Sequence, residues 1–229
     1  MVDLYRQTVD KLLTSSKSKF KSYHEKVSKS SKLVLGVPVP KMREIAKDLL
    51  KKNFQEYLQL CEFKYFEDTM IYGFVIASLK FDDFLKYLPS FLSEADSWAH
   101  IDSFVPTAKC IKKNKEKFFQ IIKNNILSAD GLTLRFYIVS LMCYYLDEEH
   151  LHYVFKTLEK IDGRGYYNDM AIAWLISVAY VKFKDKTFDF IKNCNLIDFT
   201  LNKSISKIND SFRVTRENKI LLQNFIRKK

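Results

Sequence analysis

Four long apolar segments recur along the chain at nearly regular intervals, and each is followed by a charged, amphipathic segment. The apolar segments start 31, 35 and 35 residues apart and cover residues 65–79, 96–110, 131–146 and 166–181. The amphipathic segments lie near residues 81–92, 114–127, 148–160 and 183–195. Apolar residues on all sides indicate buried helices, and one-sided patterns indicate helices that cover them. The chain is therefore predicted to fold as repeated helix pairs.

A period of 31 to 35 residues built from helix pairs is typical of an α-solenoid. The composition agrees, because 229 residues include only 5 glycines and 4 prolines, and a many-stranded sheet needs more turn residues. A chain that is 47% hydrophobic can bury one continuous core. We expect an all-α fold, an α-solenoid of HEAT-like helical repeats with a concave groove, forming a single domain over residues 1–229.

Cysteine usage and hydropathy argue against several classes of protein. The four cysteines at positions 61, 110, 143 and 194 include no CxxC pair and no Cys/His cluster at metal-ligand spacing, so we predict neither a zinc site nor a disulfide framework. The longest apolar run, from Met170 to Val181, is too short to span a bilayer, and the N-terminus lacks the apolar region of a signal peptide. We predict a cytoplasmic monomer that does not bind membranes.

Positive charge is concentrated toward the two ends of the sequence. Residues 1–52 contain 13 lysines and arginines against 5 acidic residues, residues 200–229 contain 8 against 2, and the residues between them contain 17 against 20. Two basic regions around a less basic centre favour binding to a polyanion such as nucleic acid. A solubilising helical surface explains the same charge equally well, so charge alone leaves the partner open.

The segment SWAHIDSFVP, residues 97–106, places a carboxylate beside a tryptophan in an otherwise apolar helix. Trp98 and Asp102 are four residues apart and therefore share one face of that helix. Pro106 has no N–H to donate to the carbonyl of Asp102, so the helix should bend there.

Two further unusual residues occupy comparable positions in the next apolar segments. Arg135 is the only charged residue of the segment 131–146. The intervals from Trp98 to Arg135 and from Arg135 to Trp174 are 37 and 39 residues, close to the repeat period, which predicts that these side chains line one groove. The residues alone leave an alternative open, in which both tryptophans are core residues and Asp102 forms a buried ion pair with Arg135.

Four sequence elements occur in order along nearly the whole chain and carry a family resemblance. They are LGVPVPKMREIAK at 35–47, WAHIDSFVPT at 98–107, LRFYIVS at 134–140 and YYNDMAIAW at 166–174. Together they resemble the DNA alkylation repair proteins of the AlkD type, which are HEAT-like repeat DNA glycosylases. The W-x-x-x-D element followed by S-x-V-P-T is fairly specific, and the G-V-x-x-P-x-x-R element supports it.

The resemblance implies a hydrolase of base excision repair that excises cationic N-alkylated purines, such as 3-methyladenine or 7-methylguanine, from duplex DNA without base flipping. It implies that Asp102 is the catalytic aspartate, that Trp98 and Trp174 flank the lesion, and that Arg135 contacts the DNA backbone. These residue types suit the chemistry, because a carboxylate stabilises an oxocarbenium-like sugar and aromatic faces attract cations. Alkylated double-stranded DNA is the expected partner, and no metal or organic cofactor is expected.

Departures from the family pattern support an alternative hypothesis. Asn168, Asp169 and Ser177 stand where glycosylase members tend to have basic residues, and a surface carboxylate at Asp169 should weaken DNA binding. The segment 14–32 also aligns poorly with the N-terminal helix of glycosylase members. The alternative is a non-catalytic HEAT-like scaffold that binds nucleic acid or a protein partner.

Overall fold

The computed structural model describes residues 3–227, and helices dominate this range. The helices up to Asn114 are α1 (Leu4–Ser15), α2 (Ser18–Ser28), α3 (Val39–Leu50), α4 (Phe54–Leu60), α5 (Phe66–Ile76), α6 (Phe81–Glu94), α7 (Trp98–Phe104) and α8 (Lys109–Lys113). The later helices are α9 (Lys115–Asn125), α10 (Gly131–Tyr144), α11 (Leu151–Ile161), α12 (Tyr166–Lys182), α13 (Lys184–Asn193), α14 (Asp198–Asn209) and α15 (Arg216–Gln223). An isolated parallel bridge pairs Leu33 with Tyr65, but no strand occurs in the described range. The predicted all-α fold is confirmed.

The chain divides into two compact units, one ending at Asn114 and the other beginning at Lys115. In the first unit, α5 packs against α3, α6 and α7. In the second unit, α12 packs against α10, α13 and α14. Each unit therefore has a central helix with neighbours on several sides. A single HEAT-like repeat domain with a concave groove stays a prediction.

The apolar segments form buried helices, as their patterns predicted. Every residue of α5 is buried, and so is the stretch 134–142 of α10. The charged segments form helices whose buried residues lie on one face. In α11, for example, Leu151, Val154, Leu158 and Ile161 are buried at helical spacing. The predicted division into buried and covering helices is confirmed within each unit.

The helices α5 and α6 approach each other closely at Gly73. A Cβ atom at this position would lie 2.8 Å from Cε2 of Phe91. Phe91 is fully buried, and its ring centroid lies 4.3 Å from that of Phe104 in α7. The ring therefore has little room to move away, because protein cores are close-packed.

We expect Gly73→Ala to destabilise the protein by about 1–3 kcal/mol, because the added methyl group overpacks a filled core. Urea unfolding should show a lower midpoint with an unchanged slope. Gly73→Ala should cost less in a Phe91→Leu background than in the wild type, since leucine lacks the ring carbon that the added methyl group meets. A single variant as stable as the wild type would show that the close approach does not constrain residue 73.

The helix that contains Trp98 and Asp102 ends before Pro106 instead of bending at it. α7 ends at Phe104, residues 105–107 form a 3₁₀ turn, and α8 follows. Proline has no N–H with which to extend the α-helical hydrogen-bond ladder, so the chain tightens into i to i+3 bonding. One such bond joins the Ala108 N–H to the Val105 carbonyl oxygen at 3.1 Å. The predicted bend is therefore wrong, and the apolar segment contains two short helices.

Candidate active site

Trp98 and Asp102 lie one turn apart on α7, and both side chains are partly exposed. The spacing of four residues puts them on one face of the helix. The indole Nε1–H of Trp98 donates a hydrogen bond to the carbonyl oxygen of Val27 at 3.1 Å, which fixes the ring against the end of α2. Trp98 is therefore an anchored residue but not a fully buried core residue, and Asp102 is not sealed inside the protein.

The start of α7 is tied to the loop that follows α2. Ser97 caps the helix, and its hydroxyl donates a hydrogen bond to the Ser28 carbonyl oxygen at 2.6 Å. The preceding carboxylate, Asp96, accepts hydrogen bonds from the hydroxyls of Ser30 at 2.8 Å and Ser31 at 2.7 Å. Although burial raises the pKa of Asp96, the hydrogen bonds from the two serines hold it below its usual value. These contacts join the segment 14–32 to the start of the helix that contains Asp102. This is the segment that aligns poorly with glycosylase members.

His100 joins α7 to the start of α5. Its ring stacks on Phe66 with 4.5 Å between the centroids, and its Nε2 lies 3.1 Å from the Phe66 carbonyl oxygen. Burial lowers the pKa of His100 to about 4, although the nearby carboxylate of Asp96 opposes the shift. The imidazole is therefore neutral at pH 7 and acts as a packing group of α7.

Arg43 of α3 contacts α7 near its C-terminal end. Its Nη2 donates a long hydrogen bond of 3.4 Å to the Ser103 carbonyl oxygen, and its guanidinium lies 4.2 Å from the ring centroid of Phe74. The arginine therefore supplies a donor next to the point where Pro106 interrupts the helix. Sequence reasoning placed Arg43 in the G-V-x-x-P-x-x-R element but missed this role, which is to position the helix of Asp102.

A buried carboxylate of α5 fixes the loop before α3. Glu67 accepts hydrogen bonds from the backbone N–H groups of Gly36 at 2.7 Å and Val37 at 3.2 Å through Oε1, and from Leu35 at 3.0 Å through Oε2. The Glu67 side chain is fully buried. It therefore determines how the chain enters the helix that contains Arg43. In the sequence, Glu67 is a charged residue at the start of an apolar segment. This pattern does not reveal which backbone N–H groups the carboxylate binds.

Asp68 follows Glu67 and is also buried. Its Oδ2 accepts hydrogen bonds from the Tyr5 hydroxyl at 3.0 Å and from the Tyr65 backbone N–H at 2.9 Å. Burial raises the pKa of Asp68 to about 6, although these two hydrogen bonds oppose the shift. The folded protein therefore binds a proton at Asp68 more tightly than the unfolded chain does.

This proton makes a pH-dependent contribution to stability. From about pH 4 to pH 6 the folded state retains the proton while the unfolded chain releases it, so the contribution of Asp68 falls as pH rises through this window. We expect Asp68→Asn, which mimics the protonated form, to be more stable than the wild type at pH 7 and equal to it near pH 4. Urea unfolding at both pH values measures this difference. Asp82→Asn, on the exposed face of α6, should show no such change, and a difference that grows on acidification would contradict the assignment.

In the second unit, α10 and α12 contain Arg135 and Trp174. Arg135 is buried, and its Nη1 donates a hydrogen bond to the Tyr167 carbonyl oxygen in the first turn of α12. Trp174 lies two turns further along α12 and is partly exposed. Since α10 packs against α12, both residues belong to one helix pair. Trp174, like Trp98, is not a fully buried core residue.

Asn168 and Asp169 stabilise the loop before α12. Asp169 is buried, and its carboxylate accepts a hydrogen bond from the Gly163 N–H at 3.0 Å. The Asn168 side-chain amide donates to the Arg164 carbonyl oxygen at 3.0 Å. Burial and the nearby carboxylate of Asp162 raise the pKa of Asp169. The expectation of a surface carboxylate at Asp169 is therefore wrong, because the side chain turns back to hold the loop.

The four predicted site residues fall into two pairs. Trp98 and Asp102 share a face of one helix in the first unit, and Arg135 and Trp174 lie on packed helices of the second unit. Within each pair the structure brings the residues onto the same element or onto neighbouring elements. The convergence of both pairs on one groove stays a prediction.

The histidine, cysteine and acidic side chains of the described range bear on metal binding and on thiol reactivity. Within residues 3–227, no three histidine, cysteine, aspartate or glutamate side chains form a group that could hold a metal ion. No helix of the same range is long and apolar enough to cross a membrane. Burial raises the pKa of the Cys61 thiol to about 12 and that of Cys110 to about 11. Both thiols are therefore protonated at neutral pH and are poor nucleophiles.

Comparison with known proteins gives one finding that bears on this site. The model of a family described as DNA alkylation repair enzyme matches residues 11–208. The match includes all four predicted site residues and every helix from α2 to α13. A search of curated proteins found no match.

Proposed function

Because the chain belongs to the DNA alkylation repair enzyme family, we propose that it is a DNA glycosylase that releases 3-methyladenine and 7-methylguanine from duplex DNA. A role in alkylation repair follows from the family, and the reaction and its lesions are the proposal. The observation that supports it best is the partly exposed pair of Trp98 and Asp102 on one face of α7. An accessible carboxylate beside an anchored aromatic ring suits a cationic substrate.

Asp102 has the central task in the proposed reaction. The bond between the purine nitrogen and C1′ breaks, its electron pair leaves with the base, and the alkylated purine becomes neutral. Positive charge then develops on the sugar, where a carboxylate stabilises the oxocarbenium-like state. Water adds its oxygen to C1′ and releases a proton to solvent. Asp102 would orient this water through a hydrogen bond to the carboxylate.

Arg135 would bind the DNA backbone. A guanidinium matches two phosphate oxygens with two parallel N–H groups. The hydrogen bond from Arg135 to the Tyr167 carbonyl oxygen limits the orientations of the guanidinium. A pre-oriented arginine loses less conformational entropy when it binds a phosphate.

The two tryptophans would select for the charge of the lesion. A contact between a cation and an aromatic face contributes about 0.5–2 kcal/mol, depending on desolvation. Normal bases carry no such charge and gain less from the same contact. Trp98 and Trp174 therefore favour alkylated purines without reading base sequence.

We expect Trp174→Leu to lower the rate of 7-methylguanine release by about 2- to 30-fold, the range that one lost cation–π contact with the developing positive charge on the sugar allows. Trp174→Phe should lower it less, because a phenyl ring keeps a weaker aromatic face. Single-turnover release with the protein in excess measures both rates. Phe212→Leu, at an exposed position of the same unit, is the matched control and should release base at the wild-type rate. Equal rates for the wild type and both Trp174 variants would remove Trp174 from the site.

Base release from methylated duplex DNA tests the proposed function directly. The wild-type protein, in large excess over DNA containing 7-methylguanine and 3-methyladenine, should release free base above a control without protein. The scaffold hypothesis predicts DNA or protein binding without release. One argument for the scaffold was the expected surface carboxylate at Asp169, and this side chain is buried. Absence of release by a folded protein would nevertheless reject the glycosylase and favour the scaffold.

A further inference from the structure

The first unit contains a basic cleft beside the end of α7. The cleft has a volume of about 700 Å³ and is open to solvent. Its cationic lining residues are Arg43, Lys47, Lys80, Lys109 and Lys113. They come from α3, from the loop before α6 and from α8, so residues distant in sequence meet here. Part of its wall is formed by Pro106 and Thr107 of the 3₁₀ turn that follows α7.

All charged residues that line this cleft are positive. None of its lining residues is an aspartate or a glutamate. Among the described residues, none of its five cations forms an ion pair with a carboxylate, whereas Lys11, Lys32 and Lys41 of the same unit do. A concave surface with charge of one sign focuses the electrostatic potential and attracts ions of the opposite sign. The cleft is therefore suited to an anion with several charges.

We propose that this cleft binds the phosphate backbone of DNA next to the lesion. The identity of the anion rests on the proposed function, while the cleft itself is a property of the structure. Asp102 precedes Pro106 by four residues, of which the first steps belong to α7 and the last to the 3₁₀ turn, so the backbone rises by about 7 Å between them. Phosphates follow one another at about 3.4 Å of helix axis along a DNA strand. A strand whose sugar lies at Asp102 would therefore bring a neighbouring phosphate to the cleft.

Arg43 links the cleft to the helix that contains Asp102. Its guanidinium lines the cleft and also contacts the Ser103 carbonyl oxygen and the Phe74 ring. Burial lowers the pKa of Arg43, but an arginine stays protonated at neutral pH. A phosphate in the cleft would therefore meet a cation that already contacts α7. Arg43 would then both bind a phosphate of the DNA backbone and position the helix that contains the Asp102 carboxylate.

A pair of double variants tests the cleft. Lys109→Ala/Lys113→Ala removes two exposed cleft lysines from α8, and Lys86→Ala/Lys112→Ala removes two exposed lysines of the same unit that do not line the cleft. Binding to undamaged duplex DNA is measured by fluorescence anisotropy over a range of salt concentrations. The cleft variant should lose about 10- to 100-fold in affinity at 0.1 M salt, and its slope of log K against log salt should become shallower by about 1.8. The control variant should keep the wild-type slope.

A second measurement identifies the phosphates involved. Duplexes with uncharged methylphosphonates on either side of a 7-methylguanine should bind the wild type more weakly than unmodified duplexes do. The same replacement should cost the Lys109→Ala/Lys113→Ala variant less, because the lost contacts are already absent. Equal losses for the wild type and this variant would show that the cleft does not contact these phosphates and would overturn the proposal.

The outcome does not depend on catalysis, because undamaged DNA is the ligand in the salt titration. If the wild type releases no base but the cleft variant alone loses affinity and slope, the cleft binds DNA and the glycosylase proposal fails. If both double variants lose affinity equally, general surface charge explains the binding and the cleft proposal fails. It fails as well if neither variant differs from the wild type.

Discussion

Asp102→Asn should lower the rate of base release from methylated duplex DNA by about 100-fold or more, which is the effect of removing a preorganised electrostatic group from an active site. Asparagine has nearly the same shape, so the change removes the charge with little change in volume. The contacts of Trp98, Ser97 and Arg43 with their partners do not involve this carboxylate. DNA affinity should stay the same or increase, because a negative charge near phosphates is lost.

Single-turnover kinetics and anisotropy on the same DNA separate these two effects. Asp83→Asn, on the exposed face of α6, is the matched control, since it removes the same charge from the same unit. The control should release base at the wild-type rate. Undiminished release by Asp102→Asn would mean that another group stabilises the sugar. A joint loss of affinity and of the folded circular dichroism signal would instead indicate that the substitution disturbs α7.

Glu67→Ala should destabilise the protein by about 3 kcal/mol, because it leaves three backbone donors, two of them buried, without an acceptor, and each buried one costs about 1–3 kcal/mol. These donors are the N–H groups of Leu35, Gly36 and Val37. The loop cannot easily rearrange to pair them elsewhere. Gly36 has a φ of +86°, and a Cβ atom there would lie 2.5 Å from the Lys21 backbone nitrogen.

Urea unfolding of three variants measures this contribution. Glu67→Gln should lose less than Glu67→Ala, since its amide oxygen can still accept the N–H groups that Oε1 accepts in the wild type. Glu25→Ala, on an exposed part of α2, should stay within about 0.5 kcal/mol of the wild type. A loss below 1 kcal/mol for Glu67→Ala would show that water satisfies the loop and that the carboxylate does not hold it.

Helix positions and burial were predictable from the sequence, because they depend on local periodicity. The spacing of apolar residues gave the buried α5, α10 and α12, and the one-sided patterns gave α6 and α11. The shared face of Trp98 and Asp102 followed from helical geometry alone. The family itself was predicted from four short elements, and the match over residues 11–208 confirms it.

The errors concern side chains whose partners lie elsewhere in the chain. The comparison with the family pattern led us to expect Asp169 at the surface, yet its carboxylate turns back to bind the Gly163 N–H. Glu67 likewise binds a loop about thirty residues earlier. The missing N–H of Pro106 was recognised, but the choice between a bend and a 3₁₀ turn depends on tertiary packing around Phe104. A sequence pattern does not reveal such long-range partners, because they come together only in the folded chain.

The seven residues of α7 are too few to form a stable helix in isolation. Val27, Ser28 and Arg43 bind its two ends. The N-terminal fifth of the chain therefore determines where the Asp102 carboxylate lies. A relative could keep the W-x-x-x-D signature intact and still lose its chemistry through drift in these distant tethers. Judging which relatives are active therefore requires comparing the tethers as well as the signature.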